Sequence, residues 1–560
     1  MSVDPITRQV IRNALGAAAK EMQAVLVKTA HNPLIYEVQD FGMVLTNRFG
    51  QMIAEGSGLP GFLACLPPTI QSGLQLTTFN EGDILLSNEP DDTGTHISDT
   101  VLYTPIFYEG HLVAFSAVMA HWADIGGMMP GGWCPNSVSL HQEGLIFSHN
   151  KLYDSGLVNK ELYRFILKNV RYPKLVEGDL NAKISACQTG ARRYIDLCKR
   201  YGTKTVEAAM LETFDMSEER MRREIARVPD GCYSAEAYLD HDGIERRKRH
   251  KMAVSIEVEG SSMHIDWTGT GPVAKGPINH PLVGTAALCA TTLKSLTMPF
   301  DATNEGHLRP LSVTAPKNTL VSASYPAPCD SYGYVAEVIV HVIVKALAKA
   351  IPEMCPATTY QMCAYTLSRE GENGFIGGEP VDGGGGAFPH DDGPTGIMFA
   401  GNGDAPNTPI EILESRYPMR FHRYAINPKN RGIGKFRGGH GVIREFEVLE
   451  DDIDMTTSTE NNQNPFWGLE GGGDAGTTVI TVNPDRENEC ILLDRTDYLQ
   501  VHSGDIIRIE TANGGGWGKP EDRDPQMIAD DIQNGLISLE EAVQQYKKDA
   551  DLLKSLLVVS

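Results

Sequence analysis

Apolar side chains recur with the period of a helix near the start of the chain and with the period of strands further along. Asp4-Pro5 has the composition of a helix N-terminus, and the apolar positions of residues 6–25 follow a helical period. We therefore predict a long first helix that ends near Pro33. Residues 34–47 have strand character, and the Gly- and Pro-rich residues 56–68 are predicted to form a loop.

Two later apolar runs, residues 101–108 and 112–119, are joined by the turn-forming pair Glu109-Gly110. This arrangement predicts a β-hairpin, and a hairpin brings its two outer ends together. The glycine-rich residues 128–132 follow directly. They are placed where a lid over a site would lie, although a plain connection would have the same composition.

A His-x-x-Asp motif stands at each outer end of the predicted hairpin: His96 with Asp99, and His121 with Asp124. The two histidines lie 25 positions apart, yet the hairpin would place them in one space. Neutral imidazoles and carboxylates bind divalent metal ions, so the pattern predicts a metal site with open coordination positions. Each motif alone is also typical of turns and strand ends, and a purely structural role is therefore the alternative.

The remainder of the chain changes from helical to β-rich and back. In chain order, the predicted elements are helices at 158–201 and 206–227, strands between 231 and 323, a buried helix at 335–350, a glycine-dense segment at 367–475 and a charged helical tail from 520. Glycine runs such as residues 383–386 can cradle phosphate, but no lysine follows them as a P-loop requires. We interpret them as tight turns and close approaches of the backbone.

These patterns indicate an α+β, or mixed α/β, multi-domain protein. Its N-terminal part is led by a helix and contains the hairpin, whereas its C-terminal half is rich in glycine and strands. The predicted divisions are an N-terminal α/β part with the metal site (1–228), a β-rich middle part (229–325), a Gly-rich mixed part (326–520) and a C-terminal helical tail (521–560). The alternative is one intertwined body.

Composition narrows the classes of function. The 560 residues are 41% hydrophobic and 22% charged, which is typical of a globular protein, and the net charge of −23 argues against nucleic-acid or anionic-membrane binding as the main function. The N-terminus lacks a signal-peptide pattern, and no apolar run is long enough for a transmembrane helix. Ten scattered cysteines without a CxxC pair indicate reduced thiols, so we expect a cytoplasmic protein.

Several ordered motifs resemble the hydantoinase B/oxoprolinase family almost from end to end. They include THISD at residues 95–99, AHWADIGG at 120–127, GDLNA at 178–182, GGGGA at 383–387 and GGGWG at 514–518. This family supplies the B-type subunits of ATP-dependent hydantoinases and lactamases, and related subunits of ketone carboxylases. The resemblance implies a metal, Mn²⁺ or Zn²⁺, bound by His96, Asp99 and His121 with Asp40 adjoining.

The same resemblance implies roles for other groups. Asp40 or Asp124 is expected to be the catalytic carboxylate that takes a proton, and Asp124 also fits as a ligand or as a group that orients an imidazole. A separate A-type subunit would hold ATP and phosphorylate the substrate carbonyl oxygen, so ATP is expected on the partner rather than on this chain.

We therefore expect the B-type catalytic subunit of an ATP-dependent amidohydrolase that opens a hydantoin, oxoproline or lactam. The first alternative is a subunit of an ATP-dependent ketone carboxylase, of the acetone or acetophenone type, that uses bicarbonate. The second is a non-catalytic scaffold whose metal is structural or absent. The sequence departs from the family pattern at residues 36–40 and at Ile97-Ser98. The identity of the substrate is therefore not determined by the resemblance.

Overall fold

The computed structural model describes residues 3–56, 58–371, 374–403, 405–460, 463–465, 467–492 and 496–557. The chain forms two compact units. Unit 1 comprises Met1–Ala237, His241–Ile343 and Glu370–Ile376, and unit 2 comprises Tyr238–Asp240, Val344–Arg369 and Gly377–Ser560. The mixed α/β, multi-unit class predicted from the sequence is confirmed. The finer division at residues 228, 325 and 520 stays a prediction.

Helices occur along the whole described chain. They are α1 (Pro5–Thr29), α2 (Pro33–Tyr36), α3 (Pro60–Leu76), α4 (Pro90–Thr93), α5 (Lys160–Lys168), α6 (Pro173–Tyr201), α7 (Thr203–Ile225), α8 (Leu282–Thr297), α9 (Glu305–Leu308), α10 (Gly333–Leu347), α11 (Ile410–Arg416), α12 (Pro525–Gln533), α13 (Leu539–Tyr546) and α14 (Ala550–Leu557). Short 3-10 turns lie at Pro130–Gly132, Leu140–Gln142, Pro352–Met354, Ala400–Asn402 and Pro520–Asp522.

Strands alternate with these helices. They are β1 (Phe41–Asn47), β2 (Met52–Glu55), β3 (Ile84–Ser87), β4 (Asp99–Tyr108), β5 (His111–His121), β6 (Asn150–Asp154), β7 (Leu157–Val158), β8 (Gly231–Leu239), β9 (His250–Glu259), β10 (Ser262–Asp266), β11 (Leu311–Thr314), β12 (Cys363–Arg369), β13 (Phe375–Pro380), β14 (Met419–Asn427), β15 (Gly441–Val448), β16 (Ile453–Thr459), β17 (Val479–Val482), β18 (Cys490–Leu492), β19 (Thr496–Val501) and β20 (Ile506–Glu510).

The largest sheet of the described residues belongs to unit 1 and has the strand order β2-β1-β5-β4-β3-β6-β7. The predicted hairpin is confirmed as β4 and β5, which pair from Asp99↔His121 to Tyr108↔His111. Glu109 and Gly110 turn the chain with φ of 51° and 76°. Helix α6 packs against both strands, and α1 packs on α6. Burial of the facing apolar side chains forms the core that holds the hairpin in place.

Two sequence predictions near the hairpin are wrong. Residues 56–68 are not all loop, because α3 begins at Pro60 and buries Phe62, Leu66 and Ile70 along one face. Residues 34–47 are not all strand, because Asn32 caps the short helix α2 and the strand begins only at Phe41. In both places proline occupies the first turn of a helix, where its missing N–H costs nothing.

Unit 2 contains sheets in the orders β13-β12-β16-β19 and β14-β15-β20-β17-β18. Its glycine segments lie side by side: Gly439 N donates to Gly385 O at 2.8 Å, and Gly514 N donates to Gly439 O at 3.0 Å. A Cβ on Gly384 or Gly514 would overlap the neighbouring backbone. These glycines therefore permit close backbone approach, as expected from the sequence.

The charged C-terminal residues are helical, as predicted, and form α12, α13 and α14. Ser538 and Glu541 form the predicted capping box. Buried Arg523 joins this segment to the rest of unit 2, because its guanidinium pairs with Asp392 at 2.7 Å and with Asp531 at 2.9 Å.

None of the described helices combines the length and the apolar character needed to span a membrane. The ten cysteines carry free thiols, and of these only Cys232 and Cys490 are exposed.

Candidate metal centre

Three adjacent strand ends deliver the candidate ligands to one place in unit 1. Asp99 is the first residue of β4 and His121 the last of β5, and the two are register partners. Strand β1 pairs with β5 through Phe41↔Ala120, so Asp40, which precedes β1, lies beside His121. The backbone carbonyl of Asp40 accepts the His121 N–H at 3.3 Å. The sheet therefore fixes the relative positions of these residues through backbone hydrogen bonds.

The donor atoms of His96, Asp99 and His121 form a small triangle. His96 Nε2 lies 3.1 Å from Asp99 Oδ1 and 3.2 Å from His121 Nδ1, and His121 Nδ1 lies 3.1 Å from Asp99 Oδ1. Metal–ligand bonds of about 2.0–2.2 Å place neighbouring donor atoms about 3.0–3.5 Å apart at octahedral or tetrahedral angles. The triangle therefore fits a divalent ion, and all three side chains are buried.

Outer groups hold two of these side chains in orientation. His96 Nδ1 donates to the backbone carbonyl of Asp330 at 2.8 Å, which directs Nε2 toward the triangle. The Tyr332 hydroxyl donates to Asp99 Oδ2 at 3.0 Å, which leaves Oδ1 on the triangle side. The ring of Trp133 lies 6.3 Å from that of His96 and 6.4 Å from that of His121, between centroids.

The carboxylate of the triangle also favours a positive charge close to it. Burial disfavours the charged form of His96, but Asp99 and Asp330 together outweigh this and raise the pKa of His96 to about 9. Burial acts on Asp99 in the opposite sense, yet His96 and His121 lower the pKa of Asp99. The Asp99 carboxylate thus favours a positive charge beside it, and a divalent cation bound by the triangle would supply that charge.

Asp40 lies beside the triangle, half-buried, and one of its carboxylate oxygens makes no hydrogen bond among the described residues. Burial raises the pKa of Asp40 to about 6, and the charge of Asp99 adds to this, whereas His121 and His96 oppose it. Its Oδ1 is buried and has no hydrogen-bond partner among the described residues. The carboxyl group is therefore suited either to approach an ion or to accept a proton.

Asp124, the last residue of the second motif, is engaged elsewhere. Its Oδ2 accepts the backbone N–H of Arg171 at 2.7 Å, and its Oδ1 pairs with Nη1 of the same arginine at 3.0 Å. Within the described part of the chain, no hydrogen bond or ion pair joins Asp124 to the triangle. The geometry thus favours Asp40 over Asp124 as the carboxylate that serves the site.

A second buried acidic pair lies behind His96, and the sequence patterns do not predict it. Asp330 Oδ2 accepts the N–H of Cys134 at 2.6 Å, and Glu143 Oε1 accepts the N–H of Cys329 at 2.9 Å. Burial raises the pKa of Asp330 to about 6 and that of Glu143 to about 8. Nothing in the local sequence signals that residues around 330 meet residues around 134, because only the tertiary fold brings them together.

Known proteins resemble this chain in sequence and in fold. The family model described as Hydantoinase B/oxoprolinase matches residues 4–520. A protein of Pseudomonas sp. (strain NS671), whose name marks it as a candidate B-type subunit of a D-/L-hydantoinase, is 33% identical over 97% of this chain and 95% of its own length. The crystal structure of ATP-dependent caprolactamase from Pseudomonas jessenii has a TM-score of 0.89 at 28% identity and covers all of both chains.

A nucleotide-free acetone carboxylase structure also has a TM-score of 0.89, over 97% of this chain and 79% of that chain. Its sequence identity is 17%, so this likeness shows a shared fold alone.

Proposed function

Because this chain belongs to the hydantoinase B/oxoprolinase family, we propose that it is the B-type catalytic subunit of an ATP-dependent amidohydrolase. Its substrate is a cyclic amide, such as a hydantoin, an oxoproline or a lactam. An A-type partner holds ATP and phosphorylates the carbonyl oxygen of the substrate, and ring opening takes place on this chain. The buried triangle of His96, Asp99 and His121, at spacings that suit a divalent ion, is the observation that carries the proposal.

His96, Asp99 and His121 would hold the ion, which is Mn²⁺ or Zn²⁺ since this donor set does not discriminate between them. When bound, such an ion polarises a substrate oxygen and makes water a stronger acid. Asp40 accepts the proton that water gives up, because its Oδ1 is unengaged and its pKa is raised to about 6 by burial. The partly buried Trp133 ring lies beside the rings of both histidines, and we expect it to shield this side of the site from bulk water.

The proposal is tested with the chain co-purified with its A-type partner. His96→Ala and His121→Ala should each abolish ATP-dependent ring opening and reduce bound metal at least tenfold by elemental analysis. ATP hydrolysis by the partner should persist at least in part. His111→Ala is the matched control, since His111 is exposed at the opposite end of the same strand. Wild-type turnover in both triangle variants would contradict the proposal.

Labelled bicarbonate separates hydrolysis from carboxylation. We expect an unlabelled, ring-opened amino acid as the product. Label incorporated into the product would instead assign the chain to a ketone carboxylase. Full activity of the metal-free protein would support the scaffold alternative, because the ion would then have no part in the reaction.

A further inference from the structure

A cavity of about 200 Å³ lies in unit 1, and none of its lining residues belongs to the metal triangle. Helices α3 and α8 form two of its walls, and the turn after α8 and the ends of β2 and α9 also line it. Its apolar lining includes Leu63, Ala64, Ala290 and Leu308. An apolar cavity of about 150 Å³ accepts a molecule the size of benzene, so this one takes a ligand of about eight or nine non-hydrogen atoms.

Two groups of opposite charge, Glu55 and Lys294, also line the cavity. Glu55 Oε1 accepts the N–H of Thr303 at 2.7 Å, whereas Oε2 is buried without a partner among the described residues. Lys294 Nζ donates to the carbonyl of Met298 at 3.3 Å, and burial lowers the pKa of Lys294. No ion pair within 4.0 Å joins Glu55 to Lys294 in the described part of the chain. A carboxylate and an amine in one apolar cavity are thus each left with unused hydrogen-bonding capacity.

We propose that this cavity binds a small zwitterionic amino acid, whose carboxylate pairs with Lys294 and whose ammonium group pairs with Glu55. An apolar stem between the two charges would contact the lining of α3 and α8. Amino acids are also the products of opening a cyclic amide, so the identification of the ligand as a product rests on the proposed function. The cavity and its two charges do not depend on that function, and none of its lining residues belongs to the triangle.

Titration calorimetry on the full chain tests the site with three probes that share a six-carbon chain: 6-aminohexanoate, hexanoate and hexylamine. The experiment uses the His96→Ala/His121→Ala double variant, so that the metal triangle cannot contribute. We expect saturable one-to-one binding of 6-aminohexanoate, and at least tenfold weaker binding of hexanoate and hexylamine. Lys294→Met and Glu55→Gln, added singly, should each weaken the zwitterion at least tenfold.

Lys199→Met is the matched control, because Lys199 is exposed on α6 outside the cavity, and it should leave the dissociation constant unchanged. The glutamine of Glu55→Gln keeps an oxygen that can accept the hydrogen bond from the Thr303 N–H. Thermal unfolding followed by circular dichroism verifies that each variant is folded. Absence of binding, equal binding of the three probes, or unchanged binding in the Lys294 and Glu55 variants would overturn the proposal. None of these outcomes affects the triangle, whose own test is ring opening by the assembled enzyme.

Discussion

At the scale of single residues, the proposed chemistry depends on carboxyl groups whose pKa values are raised by burial. Asp40 has an unengaged oxygen beside two imidazoles, and its pKa is raised to about 6. Its carboxyl group is therefore costly for the fold near neutral pH yet useful as a proton acceptor. Asp124 carries the same functional group and is buried, but the Arg171 guanidinium already pairs with it. The difference between the two acids lies in their partners.

Asp40→Asn tests this assignment. The amide keeps the shape of the side chain but cannot accept a proton as a carboxylate does, so we expect ring-opening turnover to fall by about 10²–10⁴-fold. Bound metal should remain above half of the wild-type content, since the triangle is intact. Asp196→Asn, at an exposed position of α6, is the control. Turnover within threefold of wild type would show that another group takes the proton.

The same substitution should stabilise the metal-free protein. The folded-state pKa of Asp40 is raised, so its contribution to stability is present below the unfolded pKa and is lost as pH rises through about 6. At pH 8 the neutral amide avoids this loss, and we expect a gain of about 1–3 kcal/mol in the free energy of unfolding. Urea unfolding with a chelator present measures it, and a gain equally large at pH 4 would contradict the explanation.

At the scale of elements, α6 supports the hairpin through one buried amine. Lys183 Nζ donates to the carbonyl of Thr100 at 2.9 Å, to its hydroxyl, and to the carbonyl of Ala120 at 3.4 Å. Thr100 follows Asp99 and Ala120 precedes His121, so a single side chain ties together the backbone next to two triangle residues. Burial lowers the pKa of Lys183 to about 7, partly opposed by Asp179.

Lys183→Met should change the pH dependence of the free energy of unfolding, and this change reports the contribution of the buried amine. Because the folded-state pKa is depressed from 10.5 to about 7, wild-type stability should rise between these values, as the unfolded chain then binds the extra proton. The methionine variant lacks this rise, and we expect the difference in unfolding free energy between the two proteins to change by several kcal/mol between pH 7 and pH 10. Lys199→Met, which removes an exposed lysine of α6, should behave as wild type.

Parallel urea titrations at the two pH values measure this difference. A constant difference between wild type and the Lys183 variant would show that the amine is charged throughout. Reduced metal content in the variant at pH 7 would further indicate that the hairpin ends have moved apart.

At the scale of the whole molecule, both units contain histidines that are buried in the neutral form. Burial lowers the pKa of four of them to about 4: His280, His307, His341 and His440. The first three lie in unit 1 and the last in unit 2. Each therefore contributes stability that is present above the unfolded pKa of 6.5 and is lost as pH falls toward 4.

We accordingly expect these histidines to destabilise the chain as pH falls from 6.5 to 4, whereas the raised pKa values of Asp40, Asp330 and Glu143 act in the opposite sense. The contribution of one histidine is therefore measured as a difference between a variant and the wild type. Scanning calorimetry should show the midpoint temperature of His280→Gln rising relative to that of the wild type as pH falls across this range, because glutamine does not titrate. His111→Gln, at an exposed position, should keep a constant offset from the wild type. A constant offset for His280→Gln would contradict the expectation.

Much of the local architecture and of the site was predictable from the sequence. The hairpin pattern with its two His-x-x-Asp motifs placed His96, Asp99 and His121 together, because a two-residue turn fixes which residues face one another. The caps of α1 and α13 were predictable for the same reason, since each depends on side chains within four residues. Helix α3 was not, because its glycine and proline content outweighs its apolar period when only neighbouring residues are considered.

By itself, the sequence determined the family, the helices and strands with clear periodicity, and the three residues of the triangle, since all of these are set by neighbours along the chain. Only the tertiary structure decided that Asp330 and Tyr332, about 230 positions away in the sequence, orient the side chains of the triangle. It also decided that Arg171 forms an ion pair with Asp124. Finally, it placed Glu55 and Lys294 in the lining of one cavity. Contacts of this kind depend on how helices and strands pack against one another. Such packing does not produce a periodic pattern in the sequence around the residues that it brings together.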